Sequence, residues 1–241
     1  MGPMRLFNKI LAGIALVAMC GPVSAETRLA PHEAEYEVKI SVLGGRLDTR
    51  LALTDDGYIA THRIQATGMS RLLASGKIEE TAYFARMPDG IRPVTFVAND
   101  TLTRDKTQAS LKFNWESREA TGIVNDEEFH ATMDELAFDR VSIQYELMSD
   151  LLNDSPSAEY ILFDIDELKT VQVRNIGRKN VTVPAGEFEA IGLQHQSAGS
   201  KRITTMWCAA ELDYLPVIIE QHRKGKLRMR AVLSKYAPQS T

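Results

Sequence analysis

The sequence predicts a mainly β protein with one central helix, folded as a strongly curved antiparallel sheet, that is, a half-barrel or incomplete β-barrel. Many short segments alternate apolar and polar residues with a period of two, which is typical of half-buried strands. Turn signals rich in glycine, proline and aspartate separate these segments. One segment changes to the helical period and is apolar over about 200° of its circumference, which is more than a single flat sheet can cover. A sheet of roughly a dozen strands must curl or close, and a curled sheet would enclose such a helix.

The N-terminus has the organisation of a secretory signal peptide. Arg5 and Lys9 precede an apolar run at 10–19, and the small-residue sequence Val23-Ser24-Ala25 follows it. We expect cleavage after Ala25, so that the signal peptide is 1–25. The apolar run is far shorter than the ~20 residues of a membrane span, so the mature chain is expected to have no transmembrane segment.

The mature product is expected to be a periplasmic, single β-rich domain of residues 26–241. Cys20 raises the alternative of a lipoprotein, but Met19 is larger than the small residue that normally precedes a lipidated cysteine. The sequence therefore favours cleavage without lipidation. Only Cys208 remains after cleavage, so no internal disulfide is expected, and we interpret this cysteine as a small buried side chain.

The first half of the domain is predicted to be an antiparallel meander. Tyr36 and Val38 alternate with polar neighbours, and Gly44-Gly45 is interpreted as the first hairpin turn. The predicted strands are 34–42, 46–53, 58–67, 78–86, 91–98 and 111–115, followed by a shorter pair near 122–124 and 128–130. A short apolar segment at 68–76 interrupts them, and it is expected either to cover a cavity as a flap or to lie on the core.

The helix is predicted from Arg140 to about Leu152, with Asp139 as the residue that caps its first turn. The apolar arc, which includes Leu147 and Leu151, is expected to be enclosed on the concave side of the sheet. The narrow polar arc is expected to face solvent; it consists of Ser142, Glu146, Ser149 and Asp150.

The second half is predicted to return to strands at 160–165 and 171–176, and then to form a meander at 181–220. Pro184-Ala185-Gly186 has the residue types of a turn. Pro216 can occupy only the first position of the strand that follows it. Lys224-Gly225 is interpreted as the last hairpin turn.

Six short motifs, in order along the chain, resemble the exported bacterial family known as domain of unknown function 3108. They are Ala34-Glu35-Tyr36-Glu37-Val38, Gly90-Ile91-Arg92-Pro93, Phe113-Asn114-Trp115, Asp139-Arg140-Val141-Ser142, Pro184-Ala185-Gly186-Glu187-Phe188, and Trp207 with the later run Leu212-Asp213-Tyr214-Leu215-Pro216-Val217. The resemblance implies an exported single domain. It implies no activity and no functional residues.

No catalytic, cofactor or metal site is predicted. The five histidines are scattered without metal-ligand spacing, and the sequence contains no nucleophile elbow, phosphate-binding loop or dinucleotide motif. Asp164 and Asp166 could approach a calcium ion, but a solvated acidic corner is the better interpretation because a dedicated loop would supply more oxygen ligands. The net charge of −4 argues against nucleic acid as a partner.

Two sets of residues are candidates for binding. An apolar ligand could be lined by Met69, Leu72, Leu73, Phe84, Phe113, Trp115 and Trp207, although core packing is the simpler interpretation of the aromatic residues. An anionic surface could be contacted by Lys226, Arg228 and Arg230, although solubility and protection against edge pairing are the simpler interpretation of these residues.

The function predicted from these features is non-enzymatic binding of a lipid or another apolar ligand of the cell envelope. The alternatives are docking on an envelope partner and, third, a hydrolase whose residues meet only in the fold. An apolar cavity would favour the first hypothesis. A packed interior with an exposed apolar patch would favour the second.

Overall fold

A computed structural model of the protein describes residues 29–104 and 106–239. The predicted signal peptide and Cys20 lie outside these residues, so cleavage and lipidation stay predictions. The described residues form one α-helix, α1 (Ser142–Leu152), two short 3-10 helices (Gly68–Leu72 and Ala210–Leu212), and strands. The strands are β1 (His32–Ile40), β2 (Leu43–Leu53), β3 (Gly57–Ala66), β4 (Lys77–Met87), β5 (Gly90–Asp100), β6 (Gln108–Asn114), β7 (Glu119–Val124), β8 (Glu127–Thr132), β9 (Ala137–Asp139), β10 (Glu159–Asp164), β11 (Glu167–Val183), β12 (Gly186–Ser197), β13 (Arg202–Ala209), β14 (Leu215–Arg223) and β15 (Lys226–Pro238).

All fifteen strands belong to one open sheet, in the order β8-β7-β6-β5-β4-β3-β2-β1-β15-β14-β13-β12-β11-β10-β9. The mainly β fold with one helix is therefore confirmed. One pair differs from the expectation of antiparallel neighbours throughout, because β9 and β10 are parallel. The reason is that α1 lies between them in the chain, and a helical crossover brings the second strand back in the same direction.

The sheet curls until its two ends meet through side chains instead of backbone hydrogen bonds. Phe163 of β10 is fully buried, and its ring centre lies 5.6 Å from both Phe113 of β6 and Phe129 of β8. Arg140 spans the same gap: its Nε atom is 2.5 Å from Asp164 of β10 and its Nη1 atom is 3.3 Å from Glu80 of β4. These contacts explain how an open sheet takes a barrel-like form.

The helix packs inside the curved sheet, against β4, β5 and β9. Tyr145 is completely buried and stacks on Phe84 of β4, with 5.5 Å between ring centres. The Asp139 carboxylate accepts hydrogen bonds from the amides of Val141 and Ser142, at 2.8 and 2.9 Å, which is the capping contact expected from the sequence. The helix begins at Ser142 and not at Arg140. Strand β9 ends at Asp139, and residues 140–141 form a turn between the strand and the helix.

The predicted exposure of the polar arc is wrong. All four of its residues, Ser142, Glu146, Ser149 and Asp150, are at most 7% exposed. The physical reason is that the sheet and the chain after α1 cover this side as well. The amide of Ile91 donates to Glu146, and the hydroxyl of Tyr160 donates to Asp150.

The first hairpin turn also differs from the prediction. Gly44 and Gly45 lie within β2, and the turn is Ser41-Val42, where Ser41 adopts a φ of 55°. The strand pairing places Ile40 opposite Leu43, so the turn comes earlier in the chain than the sequence predicted. Among the described residues, no helix has the length and apolar character needed to cross a membrane.

Candidate functional site

The seven residues considered as the lining of an apolar cavity lie in four different environments. Phe84 and Phe113 are core residues. Trp115 is half-buried and donates from Nε1 to the carbonyl of Pro93 at 2.6 Å. Trp207 packs beneath the ammonium group of exposed Lys179, which is 3.7 Å from the ring centre. The other three residues, Met69, Leu72 and Leu73, lie at one end of the barrel, so the seven are not brought together.

An exposed apolar surface is formed by two neighbouring loops at that end of the barrel. We call this surface the apolar tip. It consists of Val42, which is 92% exposed, and Met69, Leu72 and Leu73, which are each 78% exposed. Apolar side chains grouped in this way on a protein surface mark sites of interaction with proteins or membranes.

The two loops of the apolar tip are held together by hydrogen bonds. The amide of Gly44 donates to the hydroxyl of Ser70 at 2.8 Å, and the amide of Thr67 donates to the carbonyl of Gly44 at 3.1 Å. Ser70 is buried in this contact, and it is the buried residue of the 3-10 helix. The apolar neighbours of Ser70 therefore project away from the barrel.

Basic residues lie beside the apolar tip on the β12–β13 and β14–β15 hairpins. The amide of Ser41 donates to the carbonyl of Arg228 at 3.2 Å, which places the start of β15 next to the tip. The amide of Lys224 donates to the carbonyl of Lys201 at 3.1 Å, which joins the two hairpin ends. We call the exposed cations of these ends the basic hairpins: Lys201, Arg202, Arg223, Lys224, Lys226 and Arg228.

None of the six cations of the basic hairpins forms an ion pair with another described residue. Arg230, the third basic residue singled out in the sequence, differs from them because its Nε atom is 3.5 Å from the Glu220 carboxylate. Unpaired cations keep their full attraction for an external anion. The sequence pointed to Lys226 and Arg228, but it missed Val42 and the Lys201-Arg202 end, which are far from them along the chain.

An open groove of about 860 Å³ runs across β1 to β5 and the end of β15. About half of its lining residues are charged, and these charges are largely paired with one another. Arg63 Nη2 is 2.6 Å from Glu79, and Arg50 Nε is 3.6 Å from Glu33. The ion pairs neutralise many of the charges, while carbon atoms form much of the groove surface, so the groove does not select clearly for an apolar or a polar ligand.

A second cavity of about 450 Å³ lies beside the polar arc of α1. Carboxyl groups dominate its lining: Asp89, Glu135, Glu146, Asp150 and Glu159. Burial raises the pKa of Glu146 to about 8, and burial also raises the pKa of Asp150. The described residues contain no group of histidine, cysteine, aspartate or glutamate side chains arranged to hold a metal ion.

Two further groups considered in the sequence have structural surroundings. Cys208 is 2% exposed, and burial raises the pKa of its thiol to about 12, so the thiolate required of a nucleophile is strongly disfavoured. Asp164 contacts Arg140 and Lys169, with 2.6 Å to the Lys169 Nζ atom. The Asp164 carboxylate therefore helps to join the ends of the sheet.

The family model described as "Protein of unknown function (DUF3108)" matches residues 34–232. No curated protein matches the chain.

Among solved structures, the chain is similar to the β-barrel-like protein of domain of unknown function DUF1849 from Brucella abortus. The sequence identity is 13%, the match covers 89% of this chain and 100% of that chain, and the TM-score is 0.59, a likeness in fold. A protein from Bacteroides fragilis described as exported, with a YmcC-like fold, has 10% identity over 86% of this chain and 95% of its own, with a TM-score of 0.35. A protein from Parabacteroides distasonis described as a lipoprotein has 11% identity over 88% and 96%, with a TM-score of 0.32.

Proposed function

Because the chain belongs to the DUF3108 family, whose description assigns no activity, we propose from its geometry that it is an exported, non-enzymatic protein that docks on an anionic membrane surface of the cell envelope. The observation that carries the proposal is the position of the apolar tip directly beside the unpaired cations of the basic hairpins. Export is supported by the charged start, the short apolar run and the small residues before Glu26.

The two parts of this surface contribute different energies to docking. Removing a Leu, Met or Val side chain from water contributes roughly 1.5–3 kcal/mol. A cation close to an anionic membrane contributes about 1 kcal/mol, and this contribution falls as salt screens it. Association itself costs at least about 4 kcal/mol, so the expected result is reversible, salt-dependent binding that needs both parts.

A lipid carried inside the barrel was the leading hypothesis from the sequence, and nothing in the described geometry favours it. The helix and its aromatic neighbours occupy the middle of the curved sheet, and Tyr145, Phe84 and Phe163 are completely buried. Most of the residues that line the two cavities described above have polar or charged side chains. An interior occupied by the helix and its aromatic neighbours, together with an exposed apolar patch, is the arrangement expected of a docking protein.

Flotation of the mature protein with lipid vesicles tests the proposal. We expect co-flotation with vesicles that contain phosphatidylglycerol, much weaker co-flotation with pure phosphatidylcholine, and loss of binding at high salt. Leu72→Ser with Leu73→Ser should abolish binding. The matched control is Ile59→Ser, since Ile59 is 39% exposed near the start of β3, at the opposite end of that strand from the tip.

The charge component is tested by Lys226→Glu with Arg228→Glu, compared with Lys112→Glu on the exposed side of β6. The double variant should bind anionic vesicles at least tenfold more weakly at low salt, and the control should bind normally. Equal flotation with both lipids, or equal binding by all the variants, would overturn the proposal. Intact-mass measurement of the periplasmic fraction checks export, which predicts a mature protein that begins at Glu26 without an acyl group.

A further inference from the structure

A cluster of polar side chains is buried in the barrel interior, around Tyr145 of α1. We call it the interior polar cluster, and it consists of His32, Tyr36, Thr49, His62 and Tyr145. Thr49 and His62 are direct partners across β2 and β3. The ring centre of Tyr145 lies 6.3 Å from that of His32 and 6.1 Å from that of His62. Side chains from three strands and the helix therefore meet here.

Each member of the cluster has a buried polar atom without a hydrogen-bond partner among the described residues. These atoms are His32 Nε2, Tyr36 Oη, Thr49 Oγ1, His62 Nε2 and Tyr145 Oη. Four of the five side chains belong to residues that are at most 4% exposed: His32, Tyr36, Thr49 and Tyr145. Such groups are rare in folded proteins, because a buried donor or acceptor without a partner is destabilising. Five in one place would remove a large part of the narrow margin by which a domain is stable.

The hydrogen-bonding capacity of the cluster is mixed. His32 Nδ1 lies 2.8 Å from the carbonyl oxygen of Ala30. Because a carbonyl only accepts, Nδ1 carries the ring hydrogen and Nε2 of the neutral ring is an acceptor. The hydroxyl groups of Tyr36, Thr49 and Tyr145 can each donate or accept. A complementary molecule must offer a donor to His32, and it can offer either acceptors or donors to the hydroxyl groups.

The cluster is uncharged. Burial lowers the pKa of His62 to about 4 and lowers the pKa of His32, so both rings are neutral near pH 7. Burial also raises the pKa of Tyr36 and Tyr145, so both hydroxyl groups keep their protons. The nearby carboxylate of Glu80, the strand partner of His62, is paired with Arg140. An ion placed among these groups would lack a counter-ion, and burying it would be costly.

We propose that the interior polar cluster binds a small uncharged molecule that carries both hydrogen-bond donors and acceptors, as amides and polyols do. Thr49 and His62 belong to the strands that form the floor of the groove across β1 to β5, but their side chains point to the inner face of the sheet, opposite the groove-lining side chains of Arg50 and Arg63. This site is distinct from the docking surface, since Tyr36 and Val42 are separated by roughly 20 Å of extended chain. A molecule can therefore occupy the interior polar cluster whether or not the apolar tip is docked on a membrane.

The proposal is tested by nitrogen-15 NMR of the histidine side chains of the mature protein, titrated with acetamide and with glycerol. Acetate is the matched control, because it has the size of acetamide but carries a charge. We expect saturable shifts at His32 and His62 with the uncharged probes and no such shifts with acetate. His195, which is half-buried and whose pKa burial lowers to about 4, serves as the internal reference outside the cluster.

Variants identify the groups that hold the probe. Tyr145→Phe and, separately, Thr49→Val should each weaken acetamide binding at least tenfold, because each removes one hydroxyl and keeps the shape of the side chain. Tyr83→Phe, at a tyrosine whose hydroxyl contacts Asp56 on the surface, should bind normally. Absence of saturable shifts with both probes, equal shifts with acetate, or normal binding by both cluster variants would overturn the proposal. The first of these results is the one expected if the cluster holds only water.

Discussion

The carboxylate of Glu146 accepts a hydrogen bond of 2.9 Å from the backbone amide of Ile91, and this contact ties α1 to the start of β5. The approach is close: a Cβ atom at Gly90 would lie 2.7 Å from both carboxylate oxygens, so a side chain at this position would force the Glu146 carboxylate to move. Glu146 is 7% exposed. A residue expected on the solvent side of the helix is therefore part of the packing between helix and sheet.

Substitution of Glu146 should reveal this contact. Glu146→Ala leaves the buried amide of Ile91 without an acceptor, so we expect the free energy of unfolding to fall by about 1–3 kcal/mol. Glu146→Gln retains an acceptor oxygen and should be much less destabilising. Urea unfolding measures both, with the exposed Glu127→Ala as a control that should change stability by less than about 0.5 kcal/mol. Equal effects of Glu146→Ala and the control would contradict the structural role.

The same carboxyl group should make stability depend on pH. Burial raises the pKa of Glu146 from 4.5 to about 8, so the folded state binds this proton more tightly than the unfolded state. The contribution to stability is complete below pH 4.5 and is lost as the pH rises through 8. The wild type should therefore lose stability relative to Glu146→Gln over this range. Urea unfolding at several pH values checks this, and a difference independent of pH would show that the carboxyl group is not protonated in the fold.

Truncation of the helix core should be severe. Leu147 and Leu151 are 5% and 7% exposed, so replacing either by Ala should reduce the free energy of unfolding by ~2–5 kcal/mol. Leu72→Ala is the matched control, because the same chemical change at a 78% exposed position should alter it by less than about 0.5 kcal/mol. Thermal or urea unfolding measures these changes. Equal losses of stability in the three variants would contradict the assignment of the helix as the core of the barrel.

Cys208 should be chemically inert and dispensable. Its side chain is buried among apolar neighbours, and Cys208→Ala should cost about 1 kcal/mol, as the loss of one small group from a packed site does. The raised thiol pKa and the burial predict very slow reaction with a thiol reagent in native protein and rapid reaction in urea. Fast labelling of the native protein, followed by mass spectrometry, would be evidence against this environment.

Much of the fold follows from the amino-acid sequence because side-chain direction in a strand is a local property. Alternation of apolar and polar residues predicted most of the strands, and the pattern around Asp139 predicted the capped helix and its buried apolar arc. The family resemblance, built on motifs that begin at Ala34, is confirmed by a match over residues 34–232. A wide apolar arc was also sufficient to predict a sheet that wraps around the helix.

The candidate sites depended on tertiary structure because they join residues far apart in the chain. Glu146 contacts Ile91, which lies 55 positions away in the sequence. The contact is made by the polar arc of the helix, which the helical period alone predicts to face solvent. The turn at Ser41 meets Arg228, which brings the apolar tip to the basic hairpins. Local sequence determined which residues alternate and which cap a helix. Only the curvature and closure of the sheet decided which polar groups were buried together and which apolar groups remained outside.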